Sequence, residues 1–431
     1  MLLYSQFLAA HGQVSTDSRQ PQPGTLFFAL NGPSFRGADF APQALAKGAS
    51  HAVVDDATLA ATQPDHYTYV PDPLVALQNL ASHHRHQLAI PVLAVTGSNG
   101  KTTTKELLTT VLTKRFRVLA TLGNLNNHIG VPLTLLRLRA NEHELAVVEM
   151  GANHQGEIAA YCEWAQPTHG LITNIGKAHL EGFGSQEGIA QGKGELFAYL
   201  ARTGGTAFVN TLDARLPGLA ATVPTRLSYP GPTDTYPAVL LSADPAVALR
   251  LGDGTEVVAQ LTGDYNFPNL AAAAAVGQHF GVPTADIAAA LAHYNPRNNR
   301  SQLVRTAREN ELVLDAYNAN PSSMAAALRS FAQRPVTASQ SKVVILGDMF
   351  ELGAESLAEH QALGQLLASL PLPTVLLIGG EMQAAAAAGR FQHFSSKPEA
   401  AEWLRQHPLH GQQVLVKGSR GMALETLVEL L

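Results

Sequence analysis

Residues 90–103 read Ile90-Pro91-Val92-Leu93-Ala94-Val95-Thr96-Gly97-Ser98-Asn99-Gly100-Lys101-Thr102-Thr103. An apolar run suited to a strand passes into a glycine turn. Thr104-Lys105-Glu106-Leu107-Leu108, which suits a helix, follows at once. Strand, turn and helix in that order are what a nucleotide phosphate loop requires. Glycines let the backbone wrap phosphate oxygens, and N–H groups at the helix start donate to them. Lys101 would neutralise the β- and γ-phosphates, and the Thr102 hydroxyl would face Mg²⁺. Gly97, Ser98, Asn99, Gly100, Lys101, Thr102 and Thr103 are therefore the candidate nucleotide contacts. The general pattern places a glycine five residues before Gly100, where this chain has Val95, so the loop is the shorter GxxGKT form. A chance glycine turn before a helix is the bland alternative. All four parts in register argue against it.

A phosphate loop needs a carboxylate to hold its metal. Leu145-Ala146-Val147-Val148-Glu149 is an apolar strand ending in an acid, the right place at the carboxyl edge of a sheet. An ordinary acid capping a following helix is an equal alternative for Glu149. Around these two strands the chain alternates β and α runs, as parallel sheets do. Further strands are expected at residues 171–173 and 206–209, with an antiparallel patch over 226–261 and helices over 269–280 and 284–294. Before them, residues 1–87 read as a small α/β unit: strands at 26–30, 51–54 and 67–70, helices at 39–47 and 73–87. Residues 295–300 have linker composition. Beyond them, strands at 312–315, 343–346, 375–378 and 414–416 alternate with helices at 322–332, 357–370, 399–406 and 424–430. That series is doubly wound and Rossmann-like but lacks the GxGxxG dinucleotide fingerprint. The fold class is α/β in three domains: 1–87, 88–297 and 298–431. Phe7, Phe40 and Phe331 are expected in the core.

Composition sets outer bounds. The chain has 431 residues, 46% hydrophobic and 15% charged, enough for two or three cores and too apolar for disorder. Lys plus Arg is 29 against 34 Asp plus Glu, a formal charge of -5, with no basic block. A general nucleic-acid binder is therefore not expected. No long uninterrupted apolar run suggests a membrane span. The start lacks an export signal, and no further domain is expected behind Leu431. The one cysteine, Cys162, has no partner for an internal disulfide, which suits the cytoplasm. The 17 histidines show no metal-ligand spacing.

The wider motif set resembles the Mur ligase family, the ATP-dependent amide-forming enzymes of peptidoglycan precursor synthesis. It comprises the phosphate loop, Glu149-Met150-Gly151-Ala152-Asn153, Thr173-Asn174-Ile175-Gly176-Lys177-Ala178-His179-Leu180, Asn266-Phe267-Pro268-Asn269, Arg300 and Asp315-Ala316-Tyr317-Asn318-Ala319-Asn320-Pro321. Leu346-Gly347-Asp348-Met349-Phe350-Glu351-Leu352-Gly353 and Lys417-Gly418-Ser419-Arg420-Gly421 are similar to the branch that adds D-Ala-D-Ala to UDP-N-acetylmuramoyl-tripeptide. The Asp-Asn-Pro-Arg tetrapeptide typical of the branch adding the third residue is absent. One departure is Tyr265, where many relatives carry His before the first Asn.

The resemblance implies ATP and Mg²⁺ as cofactors and an acyl-phosphate intermediate. It implies that Thr102 and Glu149 hold one Mg²⁺ and that His179 holds a second. It further implies that Lys193 is a carbamylated metal ligand or a free cation on the acyl phosphate. Asn266, Asn269, Arg300 and Asp315 match ATP contacts. Ser18 and Arg19 match nucleotide-sugar contacts in the first domain, and Asn126 and Asn127 face the muramoyl-peptide portion. Asn318, Asn320, Asp348, Lys417 and Ser419 are candidates for the dipeptide. A hinge near 295–300, a monomeric state and a cytoplasmic location are expected. A third-residue Mur ligase, a folylpolyglutamate synthase-like ligase and, in a different class, a nucleotide-driven switch protein remain alternatives.

Overall fold

The computed structural model describes residues 2–431 apart from Pro21, Arg297 and Ser339. The expected linker at 295–300, and the division between residues 297 and 298, therefore include one residue, Arg297, outside the described set.

The first unit is a parallel four-stranded sheet ordered Val14–Ser15, Leu26–Phe28, His51–Val54, Tyr67–Tyr69. Leu26, Phe27 and Phe28 are all buried, one face under the helical stretch Gly37–Phe40 and Ala41–Ala46 and the other under the helix Pro73–His86. That helix starts sharply because the Asp72 carboxylate accepts from Leu74 and Val75 N–H (2.8 and 3.1 Å), with Pro73 in the first turn. The sequence did not announce the helix Leu2–Ala9, which has little amphipathic contrast but buries Phe7. Phe40 differs from expectation: it is exposed and packs edge-on against Phe35, 5.6 Å between ring centres. Phe331 is buried as expected.

The central sheet has six parallel strands in the order Thr225–Tyr229, Thr206–Asn210, His169–Ile172, Val92–Thr96, Leu145–Glu149, Val118–Ala120. Val92–Thr96 lies where the chain turns from building one half of the sheet to the other. In open α/β sheets a ligand crevice forms at that point, beyond the carboxyl ends of the strands. The patch expected over 226–261 splits in two. Its first strand joins the parallel sheet, since residues 225–229 pair in register with 206–210. Only Ala238–Ser242, Ala248–Leu251 and Glu256–Val258 form an antiparallel sheet. The phosphate-loop helix Lys101–Leu112 is covered by Phe267–His279, whose small buried residues Ala271–Ala275 let the two helices approach closely.

The last sheet is ordered Gln302–Arg305, Glu311–Asp315, Gln413–Lys417, Lys342–Gly347, Thr374–Ile378, Gln392–Phe394. Only the first strand is antiparallel. Residues 424–430 form a 3₁₀ rather than an α-helix. Asp315 and Lys417 are register partners at the carboxyl ends of adjacent strands. This end of the last sheet faces that of the central sheet.

The two sheets are held together by specific contacts. The Asn320 amide donates to Asn99 Oδ1 on the phosphate loop (2.7 Å), Lys177 N–H donates to Ser322 (2.7 Å), and Lys177 pairs with Glu359 (2.6 Å). On the linker side, Glu106 of the loop helix accepts from the Tyr294 hydroxyl (2.6 Å) and the Asn298 amide (3.1 Å). One carboxylate thus ties the phosphate-loop helix to the start of the connection. Glu106→Ala removes two hydrogen bonds to a charged acceptor, each worth roughly 1.5–3 kcal/mol. The expected result is a lower melting temperature and a broader interdomain distance distribution by solution scattering. An unchanged scattering profile would show that the clamp does not restrain the linker.

Candidate active site

The strand Val92–Thr96 is fully buried and delivers the glycine turn to the sheet edge. Gly97 (φ 139°) and Gly100 (φ 79°) have backbones that disfavour side chains, and there is no room for them. A Cβ on Gly97 would meet Thr173 Oγ1 at 2.0 Å, and one on Gly100 would meet Asn269 Oδ1 at 2.6 Å. The turn is pinned from outside. Ser98 N–H donates to Asn174 C=O (3.0 Å), and Asn99 N–H donates to Asn174 Oδ1 (3.1 Å). The Asn174 amide and the Thr173 hydroxyl both donate to Asn99 C=O (3.0 and 2.6 Å). Lys101 folds over the loop, its ammonium on Gly97 and Ser98 C=O (2.8 and 3.2 Å). Burial pulls that ammonium down to about 8, against the opposing pull of Glu149.

Beside the loop, Glu149 ends its strand almost wholly buried. Its Oε1 accepts from Thr102 (3.0 Å) and from the Asn126 amide (2.7 Å). Its Oε2 is buried and has no hydrogen-bond partner among the described residues. A buried carboxylate oxygen without a donor is costly unless a cation meets it. Across the cleft, Arg300 Nε is likewise buried without a partner, while its guanidinium lies 3.8 Å from the centre of the Tyr317 ring. One wall therefore awaits positive charge and the other negative. The cleft between them measures about 890 Å³.

Among the described residues, no group of three or more His, Cys, Asp or Glu is arranged to hold a metal by itself. That suits Mg²⁺, which usually takes one or two protein carboxylates and completes its shell with substrate phosphates and water. Glu149 and Thr102 are oxygen donors of that kind.

Residues 12–93 match a family model described as Mur ligase family, catalytic domain. Residues 95–277 match the Mur ligase middle domain, and 299–420 the Mur ligase glutamate ligase domain. The chain belongs to the Mur ligase family. A UDP-N-acetylmuramoyl-tripeptide–D-alanyl-D-alanine ligase of Escherichia coli (strain K12) is 38% identical, the match covering 97% of this chain and 93% of that protein. The ligase of that name in Bacillus subtilis (strain 168) is 34% identical over 97% and 92%. Among solved structures, MurF from Acinetobacter baumannii superposes with a TM-score of 0.86 at 33% identity, covering 99% of this chain and 97% of that one. MurF ligase from Thermotoga maritima in complex with ADP gives 0.85 at 26% identity, covering 97% and 96%.

On this Mur ligase framework the expected site residues separate into groups. Residues 98–103, Asn126, Asn127, Glu149, His179, Asn266 and Asn269 line the cleft from the central domain. Arg300, Asp315, Asn318 and Lys417 line it from the other side. Asn266 sits at the start of its helix without making a side-chain cap. It belongs instead to a buried ladder in which Thr104 donates to Asn269, Asn269 to Asn266, and Asn266 to Thr262 C=O. Asp315 accepts from Ser301 N–H (3.1 Å) and pairs with Lys417 (2.5 Å). Tyr265, the departure from the family pattern, is half-buried on the cleft wall and its hydroxyl reaches Ser301 (3.2 Å).

Lys193 is fully buried, so a solvated helix lysine is excluded. Its ammonium donates to Ala152 C=O (2.8 Å) and lies 4.9 Å from the Phe183 ring centre. Burial and the charge of Lys101 push it well below its usual value.

Three expected dipeptide contacts lie off the cleft wall. Asp348 accepts from Met382 N–H (2.9 Å), and Ser419 accepts from Phe350 N–H (2.9 Å), both within the last domain. Asn320 caps the helix Pro321–Gln333 and binds Asn99. Ser18 is mostly buried, donating to Gln43 (3.2 Å), and exposed Arg19 forks onto Asp17 (2.8 and 2.9 Å); neither lines the cleft. Asn174, Tyr317 and Glu351 lie inside the sequence motifs without local chemistry that announces a role. Only the fold brings them onto the loop, under Arg300 and against His179.

Gly100→Ala tests the loop geometry. Left-handed strain costs about 1–2 kcal/mol, and Asn269 must also move. Affinity for a non-hydrolysable ATP analogue, measured by calorimetry, should fall roughly tenfold or more. Wild-type affinity in a folded variant would count against phosphate binding here.

Proposed function

We propose that this protein is an ATP-dependent ligase that joins D-Ala-D-Ala to UDP-N-acetylmuramoyl-tripeptide, yielding the UDP-pentapeptide, ADP and phosphate. The observation that carries this is the pair of unsatisfied buried groups facing each other across one cleft. Glu149 Oε2 wants a cation and Arg300 Nε an anion, and magnesium-bound ATP supplies both. The substrates are those named for relatives that match the chain along nearly its whole length.

The chemical difficulty is an anion approaching a polyanion. The tripeptide carboxylate oxygen attacks the γ-phosphorus. The bond from that phosphorus to the β–γ bridging oxygen breaks, and ADP leaves with the electron pair. The amine of D-Ala-D-Ala then attacks the acyl carbon and loses a proton to solvent. The acyl carbon–oxygen bond breaks and phosphate departs. Lys101 and the N–H groups at the start of its helix offset charge on the β- and γ-phosphates. Arg300 and the Asn266–Asn269 ladder orient the nucleotide from opposite sides. Thr102 and Glu149 would hold one Mg²⁺ and His179 a second, and the metal would supply neutralisation and polarisation of the phosphate oxygens. Asn126 and Asn127 face the peptide portion, and Ser18 with Arg19, once released from Asp17, the UDP end. Asp315 contacts the nucleotide from the last domain, and Lys417 and Asn318 shape the dipeptide side. Holding the three reactants in line supplies most of the rest.

For Lys193 we favour the carbamate. Its depressed ammonium leaves a neutral amine, whose nitrogen bonds to CO₂ with loss of a proton. The product would be an oxygen ligand behind Ala152, a residue of the cleft wall, although Lys193 itself does not line the cleft. Lys193→Ala should lose activity by about 100-fold or more, and short carboxylic acids should restore part of it. Full activity in the variant would remove the residue from the mechanism. We place it as a monomer, since the groups this mechanism invokes come from one chain, and in the cytoplasm, which its single free cysteine suits.

Purified protein given ATP, Mg²⁺, tripeptide nucleotide and D-Ala-D-Ala should produce the pentapeptide mass. Lys101→Ala should abolish it. Nucleotide turnover without any amide would favour the switch reading. Release of phosphate with a free amino acid or glutamate in place of the dipeptide would favour the sister ligases.

A further inference from the structure

Glu351 belongs to the last domain, yet its carboxylate lies 2.5 Å from Nδ1 of His179 in the central domain. The two residues are 172 apart in sequence. Both line the cleft. Both also have left-handed backbones, φ 55° at His179 and φ 62° at Glu351, although neither is glycine. Such conformations cost about 1 kcal/mol or more each and persist where surrounding structure demands them. The demand is visible here. Glu181 N–H donates to Glu351 C=O (3.3 Å), and Gly353 packs so tightly that a Cβ would sit 3.2 Å from Glu181. On the other flank, Phe350 N–H is held by Ser419. Each backbone is thus turned to bring one side chain to the other across the domain boundary.

We propose that Glu351 is the positioning residue for His179. It accepts the Nδ1 proton and so fixes the imidazole tautomer that leaves Nε2 bare toward the cleft. Nε2 has no partner among the described residues. A bare ring nitrogen is the form that binds a divalent cation, and the hydrogen bond at the other nitrogen decides which one is bare.

The consequence concerns order of events. Glu351 arrives only with the last domain, the domain that carries the expected dipeptide side. His179 is therefore set correctly only when that domain has closed. The site is completed by closure, which keeps an activated acid from meeting water before the amine is in place. This step deepens the proposed ligase reading and rests on it for the chemistry. The His179–Glu351 pairing itself does not depend on it.

The test uses the full chain with ¹⁵N-labelled histidine, at pH 8, without metal or nucleotide. Long-range proton–nitrogen spectra report the tautomer of each ring, and His179→Gln identifies the His179 signals. Wild type should show a protonated Nδ1 and a bare Nε2. Glu351→Ala should lose that pattern. Glu351→Gln, which keeps an acceptor oxygen, should retain it. In parallel, Glu351→Ala should lower kcat by about 10- to 100-fold with KM for ATP within twofold, and Glu351→Gln should recover most of the loss. An unchanged tautomer in Glu351→Ala overturns the proposal even if kcat falls, and so does an unchanged kcat. If the wild-type protein makes no amide, the ligase reading fails, while the spectra still decide the pairing.

Discussion

Everything in this molecule turns on bringing negative charge to negative charge inside a cleft. The glycine turn answers part of that demand with backbone donors and Lys101. It cannot hold its own shape, because a turn with two left-handed or unusual glycine backbones is soft. Asn174 and Thr173, from the neighbouring strand exit, lock it through four hydrogen bonds. The central sheet places these strand ends side by side, and so sets where Glu149 can stand. Moving that carboxylate elsewhere on the sheet would take the buried acceptor away from Thr102 and Asn126.

The last domain does more than cover the opening. Asn320 reaches the phosphate loop itself, Ser322 and Glu359 grip Lys177, and Glu351 grips His179. All of these contacts fall on the loop and on residues 174–181. Arg300 and Asp315 follow the linker and reach the cleft from the opposite wall. The contacts that join the last domain to the central one thus also complete the cleft, and Glu106 ties the phosphate-loop helix to the start of the connection between them.

The sequence made some of this legible because the chemistry is local. A glycine turn between an apolar strand and a helix, with Lys101 and Thr102 in register, needs no distant information. Glu149 was visible as an acid ending a wholly apolar strand. Other features depend on partners far along the chain. Nothing near residues 225–229 says that they pair with 206–210 instead of with the antiparallel strands that follow. Phe40 looks like core, yet it finds Phe35 on the surface. Asp348 and Ser419 have the right chemistry for a ligand contact, but their partners, Met382 and Phe350, take it up within the domain. Glu351 drew no role because its significance lies wholly in a contact made by folding.

The account's central claim is that ATP activates the substrate's acid as an acyl phosphate. Labelling the tripeptide's reacting carboxylate with ¹⁸O and measuring the mass of the released phosphate tests it most directly. Transfer of one labelled oxygen to each phosphate per amide formed is the predicted result. Amide formation with unlabelled phosphate would contradict the account.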